Sequence, residues 1–272
     1  MNEDTYLGDD GLMYCKMCQK AREKIITSKV LNYRHKVRVM CACERAEYER
    51  EEAERLDRQR QSMILHNRSV CFHEKRMLEW TFENDDGTVS AMKYAREYVK
   101  NWEKVCAEHI GLILWGGVGT GKTFMAAAIA NALLDEGRKV KMTDFAEISN
   151  ISVFDSAEYV KSLISYDLLI IDDLGSERTT EFAMQNVFDV VNRRWESGKP
   201  MIVTTNLTLD EVKEIQDDNM MKRRIYDRVL DMCKPILVYG KSKREESGKQ
   251  KMKLLKEIFS NVSKDEGGEA DE

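Results

Sequence analysis

Proline and long apolar runs are scarce in this chain of 272 residues. The 2 prolines, Pro200 and Pro235, each precede an apolar run, so few positions oppose helix formation. No stretch of about eighteen apolar residues occurs, and we therefore expect no membrane-spanning helix and no membrane partner. The N-terminal segment MNEDTYLGDDG is acidic and has no apolar core, so we expect no secretory signal peptide.

The cysteines do not suit a disulfide framework. There are 7, an odd number: two close pairs, Cys15 with Cys18 and Cys41 with Cys43, and three single residues elsewhere. This pattern is typical of a protein in a reducing compartment that carries a metal site. We therefore expect a cytoplasmic location.

Charge is distributed unevenly along the chain. The net charge of -5 argues against a uniformly basic surface, but residues 222–253 hold eleven Lys and Arg against four acidic residues. A local excess of this size can neutralise phosphates, which favours single-stranded DNA as a partner. A solvated C-terminal helix explains Lys249 to Lys256 equally well.

Composition divides the chain into four segments. Residues 1–43 contain the paired cysteines, residues 44–75 begin with a run of charged helix-forming residues, and residues 76–259 hold most of the apolar patterning. We predict a small metal-binding module, a charged helical linker and one larger domain in these ranges. Residues 260–272 are acidic and contain glycine, which predicts a disordered tail.

Residues 111–240 alternate apolar runs with amphipathic segments, which is typical of a parallel sheet flanked by helices. The predicted fold class is therefore α/β. The predicted strands are 111–115, 139–143, 168–172, 200–205 and 235–239. The predicted helices are 122–135, parts of 145–165, 180–197, 208–215 and 219–231.

A glycine-rich loop follows the first of these strands and leads into a helix. Its eight residues fit the pattern G-x-x-x-x-G-K-[ST]: Gly116, Gly117, Val118, Gly119, Thr120, Gly121, Lys122 and Thr123. Glycines let successive backbone N–H groups turn toward a phosphate, and the helix N-terminus adds partial positive charge. Lys122 can reach the terminal phosphates, and the Thr123 hydroxyl can hold Mg²⁺. The sequence therefore predicts a nucleoside triphosphate site.

Two further strands end in polar residues that could complete this site. An apolar run is followed by Asp172 and Asp173, so we predict that Asp172 holds Mg²⁺ and that Asp173 polarises an attacking water. A second run ends at Asn206, which could help to place this water. Taken alone, Asn206 has a helix cap or a turn as its alternative interpretation.

These three elements resemble Walker A, Walker B and sensor 1 of the AAA+ ATPases. The segments GLILWGGVGTGKTFMAAAIANALL, DLLIIDDLGSE and PMIVTTNL are similar to bacterial and phage helicase loaders of the DnaC and DnaI type. That family also includes the transposition helper IstB, and the resemblance covers residues 76–245 approximately. It implies an AAA+ core, ATP and Mg²⁺ as ligands, a hexameric replicative helicase as partner, and homo-oligomers with ATP at subunit interfaces.

Two basic motifs continue the resemblance. Residues 224–228 (RIYDR) are similar to the family's R-x-x-D-R box, which makes Arg228 the candidate arginine finger for a neighbouring subunit's nucleotide. Residues 240–244 (GKSKR) are similar to the family's G-x-S-x-R element, which makes Arg244 a candidate sensor 2. A solvated basic surface is the alternative interpretation of both arginines.

The chain departs from the family pattern in two places. AAA+ enzymes usually have a glutamate as the second Walker B acid, whereas this chain has Asp173, with Glu177 as a weak substitute. We therefore expect slow hydrolysis. The interval 144–166 is short for the extra helix that lines single-stranded DNA in many loaders.

The paired cysteines form C-x₂-C and C-x-C motifs separated by 22 residues: Cys15, Cys18, Cys41 and Cys43. Four thiolates can hold Zn²⁺ tetrahedrally at about 2.3 Å, and a segment with so few apolar residues needs such a link to fold. His35 is an alternative ligand. A redox C-x-x-C motif and unconnected thiols are the competing interpretations. Family members of the DnaI type also carry an N-terminal zinc module, which implies a docking role.

The favoured prediction is an ATP-dependent loader that delivers a hexameric replicative helicase to single-stranded DNA. An IstB-like transposition helper would share the ATPase core but act with a transposase. A nucleotide-gated adaptor would bind ATP with negligible turnover. A small-molecule P-loop kinase is disfavoured because Asn206 and the arginine box have no role there.

Overall fold

The computed structural model describes residues 4–28, 33–152, 154–178, 180–214 and 220–265. The chain divides into two compact units, Met1–Met63 and Ile64–Glu272. Among the helices of the described residues, none is long and apolar enough to cross a membrane.

Two antiparallel hairpins and a helix form the N-terminal unit. Strand β1 (Thr5–Leu7) pairs with β2 (Met13–Cys15), and β3 (Glu23–Ser28) pairs with β4 (Tyr33–Arg38). Helix α1 (Ala42–Cys71) follows and covers most of the segment predicted as a helical linker. Among the described residues up to 63, the buried side chains are those of Cys15 and Cys41. The interior of this unit therefore consists of cysteine sulfur rather than of an aliphatic core.

A five-stranded parallel sheet forms the centre of the larger unit. Its strands are β5 (Gly111–Trp115), β6 (Val140–Asp144), β7 (Leu168–Leu174), β8 (Met201–Thr205) and β9 (Cys233–Leu237). They lie in the order β6-β7-β8-β5-β9. The predicted α/β fold class is confirmed, and each strand begins and ends within two residues of its predicted bounds.

Helices cover both faces of this sheet. A short 3₁₀ helix (Lys75–Glu79) precedes α2 (Met92–Lys100) and α3 (Trp102–Ala107). The later helices are α4 (Lys122–Asp135), α5 (Phe145–Ser149), α6 (Ser156–Ser165), α7 (Glu181–Ser197), α8 (Leu209–Glu214), α9 (Met220–Met232) and α10 (Lys243–Asp265). Helix α10 extends into the segment predicted to be disordered, and the rest of that segment, 266–272, lies outside the described residues.

Alternate residues of each strand enter two different apolar cores, as the period of two in a strand requires. Leu112 and Leu114 pack in one core with α2 and α4, whereas Ile113 packs in the other with α5, α6, α7 and α9. The three central strands, β7, β8 and β5, are apolar up to their carboxyl ends because both of their faces are covered, whereas the edge strands β6 and β9 contain Lys141 and Lys234. In the central strands the polar residues thus lie at the carboxyl ends, where the candidate site lies.

A buried arginine ties the beginnings of two central strands together. Arg194 of α7 is 0% exposed. Its guanidinium donates to the carbonyls of Tyr166 and Asp167 at 2.8 Å each and to that of Pro200 at 2.5 Å. Burial lowers the pKa of Arg194 to about 10, while the charge of Asp167 opposes this shift.

We expect Arg194→Met to lower the free energy of unfolding by roughly 3 kcal/mol, because it removes a buried guanidinium that donates to three backbone carbonyls. Urea denaturation followed by circular dichroism measures this loss. Arg193→Met, at the exposed neighbouring position on α7, is the matched control and should change stability by less than about 0.5 kcal/mol. Equal stability of the two variants would contradict the role assigned to Arg194.

Candidate nucleotide site and cysteine cluster

The predicted site residues meet at the carboxyl edge of the sheet. The glycine-rich loop connects β5 to α4, and the ends of β7 and β8 lie beside it. A cavity of about 350 Å³ opens here, and its lining includes Lys122, Thr123, Asp172, Asp173 and Asn206. Parallel strands bring their carboxyl ends to one edge, so three distant segments of sequence contribute to one site.

The loop packs closely against the segment after β9. Gly119 has a φ of 80°, and a Cβ at this position would collide with the side chain of Ser242. The backbone N–H of Lys243 donates to Gly119 O at 3.0 Å. Gly116 has a φ of 146° and lies against the carbonyl of Val238. Glycine is therefore required at these positions by the close packing of residues 238–243 of the same chain, as well as by access for a phosphate.

Lys122 lies buried inside the loop. Its Nζ donates to the carbonyls of Gly116 and Gly117 and to Oδ1 of Asn206, at 2.8 Å in each case. Burial lowers the pKa of Lys122, and the charges of Asp172 and Asp173 oppose this effect. The ammonium group is thus held at the place where the terminal phosphates of a nucleotide would lie.

Asp172 accepts hydrogen bonds from two hydroxyl groups. Thr123 Oγ1 donates to its Oδ2 at 3.1 Å, and Thr204 Oγ1 donates to its Oδ1 at 2.5 Å. Burial raises the pKa of Asp172, while these hydroxyl groups oppose the shift. A carboxylate beside a hydroxyl supplies the oxygen ligands that Mg²⁺ prefers, so these residues fit the ion.

Asp173 leaves the regular strand. Its φ is 60°, and the pairing of β7 with β8 shifts register between Ile171 and Leu174. Its N–H donates to Thr204 Oγ1 at 2.9 Å, and its Oδ1 accepts from Asn206 Nδ2 at 2.9 Å. Asn206 therefore bridges Lys122 and Asp173. Thr208, rather than Asn206, caps helix α8: its Oγ1 accepts from the N–H of Glu211 at 3.2 Å.

Glu177 does not line the cavity. Its side chain is 1% exposed, and its carboxylate accepts from the N–H of Gly175 at 2.7 Å and from the hydroxyl of Tyr226 at 3.0 Å. The sequence suggested Glu177 as a weak substitute for the second Walker B acid. Its oxygens are bound elsewhere, so these contacts favour Asp173 for that role.

The two candidate arginines lie in different places. Arg244 is exposed and lines the cavity. Arg228 does not line it; its guanidinium carbon lies 4.9 Å from the ring centre of Phe188 and 5.5 Å from that of Trp195, both on α7. A side chain that serves a neighbouring subunit must lie outside its own chain's cavity, and Arg228 meets that requirement.

Several cavity residues were missed by the sequence analysis. Trp80 and Phe124 line an apolar part, with ring centres 6.0 Å apart. Lys243 Nζ lies 5.4 Å from the centre of the Phe124 ring and donates to Asp86 Oδ1 at 2.9 Å. Phe124 directly follows the P-loop threonine, which could have indicated it. Trp80 and Lys243 come from segments distant in sequence that no local pattern connects.

The four paired cysteines form one cluster. Their sulfur atoms all lie within 4.8 Å of one another. Cys43 Sγ lies 3.2 Å from that of Cys41, 3.5 Å from that of Cys15 and 3.6 Å from that of Cys18. His35, in β4, is not part of the cluster found among the described residues. The structure thus brings together the four predicted ligands and leaves out the alternative one.

The chemistry of this cluster suits a tetrahedral metal ion. Four sulfurs at about 2.3 Å from a Zn²⁺ ion lie roughly 3.8 Å from one another, close to the observed spacing. Backbone N–H groups of Cys43 and Lys20 lower the pKa of Cys18, which favours its thiolate form, whereas hydrogen bonds with the thiols of Cys41, Cys15 and Cys18 raise the pKa of Cys43. The residues therefore fit zinc.

The fold and the site together define a P-loop protein of the α/β class. The chain belongs to the family described as IstB-like ATP binding protein, which matches residues 36–251.

Two curated relatives are helicase loaders by name. The chain is 29% identical over 145 residues to the replicative helicase loader DnaC of Escherichia coli (strain K12), covering 51% of this chain and 58% of that protein. It is 25% identical over 207 residues to the replicative helicase loader DnaI of Bacillus subtilis (strain 168), covering 70% of this chain and 66% of that protein. The chain thus spans less than two thirds of the length of either relative.

Two solved structures share the fold. A crystal structure of DnaI superposes with a TM-score of 0.54 at 21% identity, over 65% of this chain and 98% of that one. A crystal structure of the DnaC helicase loader has a TM-score of 0.50 at 20% identity, over 61% of this chain and 100% of that one.

We expect the purified protein to carry one zinc ion at the cysteine cluster. Cys18→Ser removes one of four thiolates and should weaken zinc retention at least about tenfold, since even changes around a metal site cost that much. Mass spectrometry of the metal content against protein concentration measures this. Cys106→Ser, outside the cluster, is the control and should keep its zinc. A Cys15–Cys18 disulfide in place of zinc would contradict the prediction and favour the redox interpretation.

Proposed function

We propose that this protein is an ATP-dependent loader of a hexameric replicative helicase, which it delivers to single-stranded DNA. The observation that carries the proposal is the set of contacts that joins Lys122, Asn206 and Asp173, beside the pair of Thr123 and Asp172, in one cavity. These residues fit a nucleotide with its metal ion. The names of the DnaC and DnaI relatives support the helicase as partner.

Each residue of the site has a role in the proposed reaction. Glycines 116, 117, 119 and 121, with Val118 and Thr120, wrap the phosphates, and Lys122 binds the terminal ones. Thr123 and Asp172 would hold Mg²⁺, which neutralises charge on the phosphates when it is bound. Asp173, positioned by Asn206, orients and polarises the attacking water.

The site is completed by a second copy of the chain in this proposal. Arg228 lies outside its own cavity and would reach the nucleotide of the neighbouring subunit, where a guanidinium stabilises charge on the transferred phosphoryl group. Arg244 lines its own chain's cavity and would sense the terminal phosphate of its own chain's nucleotide. ATP thus sits at the subunit interface, and hydrolysis would release the client.

The other segments have proposed roles as well. Residues 1–43 form the zinc module, residues 44–75 the linker, residues 76–259 the ATPase domain and residues 260–272 the tail. The zinc module would dock on the helicase, and the basic residues of 222–253 would contact the phosphates of single-stranded DNA. We propose that the protein acts in the cytoplasm.

A mixing experiment tests the shared site. Arg228→Ala and Lys122→Ala should each lower the rate of ATP hydrolysis at least about 100-fold, because each removes a charge from the same phosphates. An equimolar mixture should regain about a quarter of the unaltered rate, since random assembly pairs an intact pocket with an intact arginine at about one junction in four. A phosphate-release assay measures the rates.

Arg223→Ala is the matched control for this experiment, because Arg223 is an exposed arginine on the same helix. It should hydrolyse ATP at the unaltered rate when DNA is absent. A mixture no more active than either variant alone would argue against a site shared between subunits.

A pull-down tests the partner. The tagged protein, incubated with ATP in extract from its own cells, should recover a hexameric replicative helicase. Cys15→Ser with Cys18→Ser should abolish recovery if the zinc module docks, whereas Cys106→Ser should not. Recovery of a transposase, or of no helicase, would reject the loader assignment and leave the nucleotide site unaffected.

A nucleotide-gated adaptor with negligible turnover is the second candidate function. It is favoured by Asp173, which is one methylene shorter than the usual glutamate and accepts a hydrogen bond from Asn206. Single-turnover hydrolysis with and without single-stranded DNA separates the two functions. An adaptor would hold ATP unchanged in both conditions.

A further inference from the structure

The buried carboxylate of Glu177 joins the loop after β7 to helix α9. Its Oε2 accepts from the N–H of Gly175 at 2.7 Å, and its Oε1 accepts from the hydroxyl of Tyr226 at 3.0 Å. Lys222 Nζ lies 3.6 Å from the same Oε1. A buried carboxylate that loses such partners pays a desolvation penalty, so the loop and the helix are held in a fixed relation.

One end of this link leads to the nucleotide site. Gly175 follows Leu174, the last residue of β7, two residues after Asp173. The carbonyl of Leu174 accepts from Thr205 Oγ1 at 2.8 Å, and Thr205 directly precedes Asn206. The loop that Glu177 holds is therefore bonded to the strands that carry Asp173 and Asn206.

The other end leads to the candidate arginine finger. Tyr226 is 2% exposed and lies two residues before Arg228 on α9. Burial, and then the charge of Glu177, raise the pKa of Tyr226, so its hydroxyl stays protonated and donates to the carboxylate. The guanidinium of Arg228 rests on rings of α7. Tyr226 thus fixes α9 to the loop, while Arg228 fixes it to α7.

We infer that Glu177 and Tyr226 are positioning residues that couple occupancy of the nucleotide site to the placement of α9. A phosphate bound by Lys122 competes with Asn206 Oδ1, which is now one of the three acceptors of that ammonium group. The resulting change at Asn206 reaches the loop of Glu177 through β8 and Leu174. The inference rests on the proposed function, because it requires ATP at Lys122 and a role for Arg228.

Hydrogen exchange followed by mass spectrometry tests this coupling on the full-length chain at a concentration where it is monomeric. A non-hydrolysable ATP analogue with Mg²⁺ should slow amide exchange in α9 of the unaltered protein. Tyr226→Phe removes only the hydroxyl. It should bind the analogue within about twofold of the unaltered affinity, but the slowing in α9 should fall at least about threefold.

Two further variants give the test its controls. Glu177→Gln can still accept from Gly175 and can donate to the oxygen of Tyr226, but it loses the charge that faces Lys222, so it should retain part of the slowing. Tyr98→Phe removes another buried hydroxyl, which donates to Ile110 O at 2.7 Å and lies away from the nucleotide site. This variant should retain all of the slowing in α9.

A purely structural role gives a different result. Tyr226→Phe would then speed exchange in α9 equally with and without the analogue, and the slowing caused by the analogue would persist, which overturns the inference. If the analogue binds the unaltered chain without changing α9, the inference also fails while the nucleotide site stands. If the analogue does not bind, the proposed function fails and the inference falls with it.

Discussion

The hydrogen bonds that Thr123 and Thr204 donate to Asp172 hold the site together, because each joins a different part of the fold to β7. Thr123 lies in the first turn of α4, and Thr204 lies near the end of β8. Burial raises the pKa of Asp172, and the two hydroxyls offset part of that cost, so the site depends on both. A Mg²⁺ ion at this point would bind side-chain oxygens whose positions are already fixed by hydrogen bonds, which lowers the conformational entropy lost on binding.

Asn206 connects Asp173, the neighbour of Asp172, to Lys122, the proposed phosphate-binding group. Its two amide atoms have different partners: Oδ1 accepts from Lys122, and Nδ2 donates to Asp173. A phosphate that draws Lys122 away removes one partner of the Asn206 amide, which is exposed and lines the cavity. The residue proposed to position the water is thus bonded to the residue proposed to bind the phosphate. The amide of Asn206 therefore links these two proposed functions.

The sequence predicted what depends on local pattern. The glycine loop, the five strands and the order of their polar ends could be predicted from spacing alone, because a buried parallel strand needs a continuous apolar run. Local pattern could not predict the roles of Thr204 and Trp80 or the hydrogen bonds of Glu177. Each depends on a contact between residues 30 or more positions apart in the chain. Glu177 shows the reason most directly. Its nearness to Asp173 in sequence suggested a part in catalysis, whereas folding buries its carboxylate against Tyr226.

The two compact units solve the problem of stability in different ways. The larger unit buries aliphatic side chains on both faces of its sheet, and this apolar burial stabilises it. The N-terminal unit has Cys15 and Cys41 as its buried side chains among the described residues, and four thiols packed within 4.8 Å gain little without a metal ion. The zinc ion expected at the cluster would therefore make metal binding and folding one equilibrium in this unit. A chelator should unfold the proposed docking module while the nucleotide site stays folded, which makes partner binding dependent on metal and nucleotide binding independent of it.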